Sequence, residues 1–73
     1  MATIPPTKTV GERIREVRQS RGWSQERLAV EAGIYSRTVQ RIESGEDFTF
    51  GSLTSIARAL DVGPADLLED HAS

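Results

Sequence analysis

Apolar positions recur at helical spacing along most of the chain. Val10, Ile14 and Val17 stand at i, i+4 and i+7 with arginine and glutamate between them, which predicts an amphipathic helix over about residues 10–21. Thr9 is a capping residue type and Gly22 a terminating one. Ser24 opens a second helix whose stripe is Leu28, Ala29 and Ala32, closed by Gly33; Arg27 stands where a capping box would need Glu or Gln. Residues 36–44 place Val39 and Ile42 on one face and Arg37, Gln40 and Arg41 on the other, ending at Gly45. A turn at Glu46, Asp47 and Phe48 leads to Thr49 as a cap, and Leu53, Ile56, Ala57 and Leu60 define a fourth helix. Gly63 and Pro64 restart the chain with proline at a first helical position, and Leu67 and Leu68 give a short fifth helix its apolar side. Strand alternation, repeats and low-complexity tracts are absent from the sequence. The expectation is one all-α domain of five helices over residues 10–69, a flexible segment over residues 1–9 and a disordered tail over residues 70–73.

Composition narrows the picture. Seventy-three residues, 37% of them hydrophobic, suffice for one small core and are too few for a catalytic domain with a cofactor fold. With no cysteine there is no disulfide, and with His71 alone there is no zinc site of the usual Cys/His type, so neither metal nor cofactor is expected. Helix packing and self-association remain as sources of stability. The N-terminal residues, including Pro5 and Pro6, offer neither the charged flank nor the apolar run of a signal peptide or membrane span, and a cytoplasmic protein is expected. The formal net charge of −2 is unevenly spread. Residues 1–45 carry eight Lys/Arg against five Glu, whereas residues 46–73 carry Arg58 alone against six acids. Such a division suits a molecule with one side facing a polyanion. No nucleophile has a recognisable base partner and no glycine-rich phosphate loop is present, so an enzyme is not expected.

Two short helices joined at a glycine, with a small residue inside the first, form the pattern of a helix-turn-helix unit over residues 25–43. Ala29 is small where the helices would cross, and Gly33 releases the backbone at the turn. Ile34, Val39 and Ile42 would anchor the second helix so that its polar face could enter a DNA major groove. Arg18, the run Gly22, Trp23, Ser24, Gln25, then Leu28 with Ala29, Ala32 to Ile34, Arg41 to Glu43, Gly45, Ile56 with Ala57, and Ala59 with Leu60 together resemble the Cro and lambda-repressor type of helix-turn-helix, the XRE family. The resemblance spans about residues 10–68. It implies a compact five-helix, lambda-repressor-like domain, usually a homodimer, that binds pseudo-palindromic operators in double-stranded DNA and regulates transcription.

On this resemblance Ser36, Arg37 and Arg41 match base-reading positions, Gln25 matches a position that hydrogen-bonds a phosphate, and Gln40 matches a neighbouring position that reaches the backbone or a base; Tyr35 is also expected at the DNA backbone. Arg18 and Glu43 match an ion pair tying helix 1 to the end of helix 3. Arginine independently suits base reading, because its guanidinium can fork onto O6 and N7 of guanine. Phe48, Val62, Leu67 and Leu68, outside the helix-turn-helix, are the expected dimer interface. Three places depart from the family pattern. Tyr35 stands where Ser or Thr commonly caps the recognition helix, so the cap is expected to shift to Ser36. The turn at Glu46, Asp47 and Phe48 is acidic and short, and the N-terminal arm carries only Lys8, so neither is expected to grip phosphate. Trp23, between a terminating glycine and a cap, is expected to plug the core, and Arg13, Arg15 and Arg21 to form a solvated face. The rival reading is an antitoxin-like or anti-regulator module that holds a second protein. The few residues after the last helix argue against a dedicated partner-binding segment.

Overall fold

Each of the first four helices starts on a residue in extended conformation, and three of those residues cap with a hydroxyl. In the computed structural model, which describes residues 9–68, Thr9 opens α1 (Val10–Ser20) with a full capping box. The Glu12 amide donates to Thr9 Oγ1 at 3.1 Å, and the Thr9 amide donates back to Glu12 Oε1 at 2.9 Å. Ser24 caps α2 (Gln25–Ala32) through the Arg27 amide, and Thr49 caps α4 (Phe50–Leu60) through the Ser52 amide. At α3 (Ser36–Glu43) the cap stays at Tyr35, which makes no side-chain cap bond, so the expected shift to Ser36 does not occur. Short α5 (Pro64–Leu68) begins at proline, and among the described residues there is no strand. The expectations for the N-terminal segment, apart from Thr9, and for the chain from Glu69 onward fall outside the described residues.

The same main-chain device ends α1, α2, α3 and α4. One residue takes a positive φ: Gly22 at 71°, Gly33 at 71°, Gly45 at 96° and Asp61 at 60°. The amide after it then reaches back five residues, from Trp23 to the Arg18 carbonyl, Ile34 to Ala29, Glu46 to Arg41 and Val62 to Ala57. Three of the four turning positions are glycines, as the left-handed conformation favours; Asp61 is the exception, tolerated because a short polar side chain bears that conformation better than most.

The core is drawn from every helix: Ile14, Leu28 and Ala29, Val39 and Ile42, Leu53, Ile56, Ala57 and Leu60, and Leu67. Val10, Val17, Trp23, Ile34, Phe48 and Val62 pack against it half-buried. Burying these side chains, at about 1.5–3 kcal/mol for each large one, is the main drive to fold. Helices α2 and α3 pack on each other, α4 packs beneath α2, and α1 crosses α3. At that crossing the two backbones meet. A Cβ on Gly11 would overlap the Ile42 carbonyl oxygen and lie 2.9 Å from Glu43 Cα.

An ion pair reinforces this crossing. Arg18 Nε and Nη2 donate to the two Glu43 carboxylate oxygens at 2.7 and 2.9 Å, and Arg18 Nη1 donates to the Trp23 carbonyl at 2.8 Å. Gln25 Nε2 donates to Glu43 Oε1 at 3.0 Å, and Arg15 Nε lies 3.5 Å from the same oxygen. The Glu43 side chain is 1% exposed. Burial alone would raise its pKa, but the bonds from Arg18, Gln25 and Arg15 and the Arg18 charge outweigh burial and hold it below the ordinary carboxylate range. The Arg18 pKa is raised, chiefly by its bond to Glu43.

Two outcomes follow. Gly11→Ala should lower the melting temperature even though alanine favours a helix interior by about 1 kcal/mol. The added carbon meets backbone that cannot yield, and overpacking of that kind costs about 1–3 kcal/mol or more, so destabilisation wins. For Glu43, a depressed folded-state pKa gives stability that is complete above the ordinary carboxylate value and is lost as pH falls from there through the folded value. Urea titrations across acid pH should therefore show falling stability in that window. Arg18→Met, which strands a buried carboxylate, should cost about 3–5 kcal/mol at neutral pH and weaken this acid dependence.

Candidate nucleic-acid interface

Helix α3 is anchored along one side and open along the other. Val39, Ile42 and Glu43 are buried, whereas Arg37, Gln40, Arg41 and the following Ser44 are exposed. Spacings of three and four residues put these exposed side chains on one face. With Glu46 they line one continuous open depression on the surface. Ser36, in the first turn, is half-buried beside this face, and Tyr35 just before it is 83% exposed. A polar helix face with two arginines, held out by a rigid apolar back, offers both charge and forked donors to an anionic, acceptor-rich partner.

Gln25 sits at the first position of α2, half-buried, with its amide nitrogen on Glu43. That nitrogen carries two hydrogens, so one remains for an acceptor outside the protein. Helices α2 and α3 are thus joined by the hydrogen bond as well as by packing. Arg15 and Arg21 are exposed, as a solvated face requires, yet Arg15 leans toward the same carboxylate and Arg21 Nη2 donates to the Leu60 carbonyl at 2.5 Å, satisfying the C-terminal end of α4. Trp23 packs against the core, with the Arg27 and Arg21 guanidiniums 4.8 and 5.9 Å from its ring centre.

Arg41 is not unaccompanied. Its Nε donates to Glu46 Oε1 at 2.9 Å, a pairing absent from the sequence reading. The two residues are five apart, outside the usual helical pair spacings, and only the turn at Gly45 brings them together.

The four residues expected at a dimer interface separate. Leu67 is 1% exposed and belongs to the chain's own core, so it offers no surface to a partner. Phe48 and Val62 are half-buried against that core, and Leu68 is 47% exposed. Phe50, passed over in the sequence, is 69% exposed at the start of α4. Among the described residues no group of acidic or histidine side chains could hold a metal, and no helix is long and apolar enough to cross a membrane.

A helix-turn-helix family model matches residues 14–67. No curated protein sequence matches the chain. Among solved structures, the restriction-modification controller protein C.AhdI from Aeromonas hydrophila is 35% identical with a TM-score of 0.78, covering 81% of this chain and 91% of its own. SinR, the master regulator for biofilm formation, solved in complex with DNA, is 28% identical with a TM-score of 0.79, covering 84% of this chain and 100% of its own. The P22 c2 repressor in complex with a synthetic operator is 28% identical with a TM-score of 0.79, covering 88% of this chain and 98% of its own. These matches, the five-helix order and the helix pair at residues 25–43 agree, and the chain belongs to the helix-turn-helix family of the Cro and lambda-repressor type.

Proposed function

We propose that this protein is a cytoplasmic transcriptional regulator that binds a pseudo-palindromic operator in double-stranded DNA as a homodimer, with α3 in the major groove. The observation that carries the reading is the outward face of α3, where Arg37, Gln40 and Arg41 stand together on a helix whose opposite side is fixed in the core. A major groove about 12 Å wide admits one such helix and displays a different donor and acceptor pattern for each base pair. Controllers and repressors among the structural relatives, two of them solved with DNA or operator, support the same conclusion.

Within this reading the residues divide by role. Ser36, Arg37 and Arg41 read bases, the arginines by forking onto guanine O6 and N7. Gln25, through its second amide hydrogen, with Gln40 and Tyr35, holds the DNA backbone and sets the register. One short helix reads too few base pairs to single out a site, and a twofold pair doubles the readout. The interface falls after Gly45, with exposed Phe50 and Leu68 as apolar anchors and the half-buried Phe48 and Val62 contributing what surface they retain.

Selection from a pool of random duplexes, followed by titration at several salt concentrations, tests the proposal. The protein should select a motif with inverted symmetry, its half-sites about 34 Å apart, and log K should fall with log salt at about 0.9 per phosphate neutralised. A flat salt slope, or no selected duplex, overturns it. Arg37→Ala and Arg41→Ala should each lose about 1–3 kcal/mol of discrimination between selected and random duplex, whereas Gln25→Ala should weaken both alike. In sedimentation on the selected duplex, two chains should bind per site, and Phe50→Ser with Leu68→Ser should shift the free protein toward monomer while its helical circular dichroism stays. One chain per site, or a motif without inverted symmetry, removes the dimer.

A further inference from the structure

The Arg41–Glu46 pair lies on the face that the proposed function turns toward DNA, and that placement needs a reason. Exposed ion pairs contribute little to stability, and both side chains here are more than half exposed. A carboxylate beside a phosphate backbone also repels it at close range. Glu46 therefore serves neither fold stability nor general DNA affinity.

Its position is nevertheless tightly specified. Gly45, at φ 96°, turns the chain so that the Gly45 amide bonds the Ile42 carbonyl and the Glu46 amide bonds the Arg41 carbonyl, each at 3.0 Å. The Glu46 side chain then returns to the side chain of the same residue, Arg41. Main chain and side chain of Glu46 thus both engage Arg41. The side-chain bond uses Nε, the nitrogen nearest the stem, and leaves the two terminal nitrogens for another acceptor. A guanidinium held by its Nε has fewer orientations to lose when its terminal edge docks on two acceptors of a base.

We infer that Glu46 is a specificity-determining positioning residue: from the loop after α3 it braces the Arg41 guanidinium so that the terminal edge forks onto a guanine. The inference rests on the reading of α3 as the base-reading helix. Bracing favours guanine, whose O6 and N7 suit the fixed edge, while repulsion of the phosphates lowers affinity for every sequence alike. Glu46 accordingly sharpens selectivity at the expense of affinity.

The test uses the full chain, the duplex it selects, that duplex with each base pair changed in turn, and a random duplex, all at one salt concentration. Glu46→Ala should reduce the preference for guanine at one position per half-site by about five- to tenfold. It should also raise affinity for the random duplex. Glu46→Gln, which keeps an acceptor at the same reach, should restore most of the preference. In an Arg41→Ala background the effect of Glu46→Ala on that preference should vanish. The inference is overturned by any of three results: equal changes on selected and random duplex, a Glu46→Ala effect that persists without Arg41, or a Gln variant no better than Ala. If the unsubstituted protein selects no duplex, the DNA-binding reading fails and the inference falls with it; if it does select one, these three results bear on Glu46 alone. Thermal melts of each variant confirm that the fold is intact, as expected for an exposed side chain.

Discussion

The bidentate bond between Arg18 and Glu43 is the constraint on which the placement of α3 depends. Hydrophobic burial is strong but not directional, and Val39 with Ile42 alone would hold α3 against the core without fixing its rotation closely. Two parallel hydrogen bonds between a planar guanidinium and a planar carboxylate have direction. They join the last turn of α1 to the last residue of α3, and Gln25 adds α2 to the same carboxylate. Arg18 also holds the Trp23 carbonyl in the connection between α1 and α2. Taking such charges out of water is costly, and the site is stable because the buried carboxylate meets several donors at once.

Around that fixed point, economy of chain length comes from the repeated way the helices end. In four successive helices a single left-handed residue lets the next amide recover an orphan carbonyl, so each connection is short and its first residues are held by the main chain. At α3 this closure does more than end a helix, since it carries an acidic side chain back to the arginine that the helix presents.

Much of this was legible in the sequence, because helical periodicity and terminating glycines are local signals. The five helices, their breaks at Gly22, Gly33 and Gly45, and the inward positions Ile14, Leu28, Val39, Ile42, Leu53, Ile56 and Leu60 follow from spacing alone. The capping box at Thr9 and Glu12 was written in the sequence as well, and only its second half went unread. Other features depend on how segments meet. Gly11 looks like a poor helix residue until the Ile42 carbonyl arrives beside it, and Phe48 and Phe50 cannot be ranked for exposure until α4 has its orientation. Leu67 and Leu68 are adjacent and chemically identical, yet one fills the core and the other faces solvent, a choice made by the docking of α5 and not by composition. The shift of the cap from Tyr35 to Ser36 failed for a related reason. Packing of α3 and its bond to Arg18 hold the helix where it begins, and a missing capping hydroxyl at Tyr35 is too weak a preference to move it.

The close backbone approach at Gly11 has an evolutionary consequence. Because main chain meets main chain there, the distance between α1 and α3 is independent of the side chains that α3 turns outward. Arg37, Gln40 and Arg41 carry little of the burden of folding, so mutation can rewrite them one at a time while the scaffold persists. A lineage built on this frame can vary the outward face of α3 without passing through unfolded ancestors.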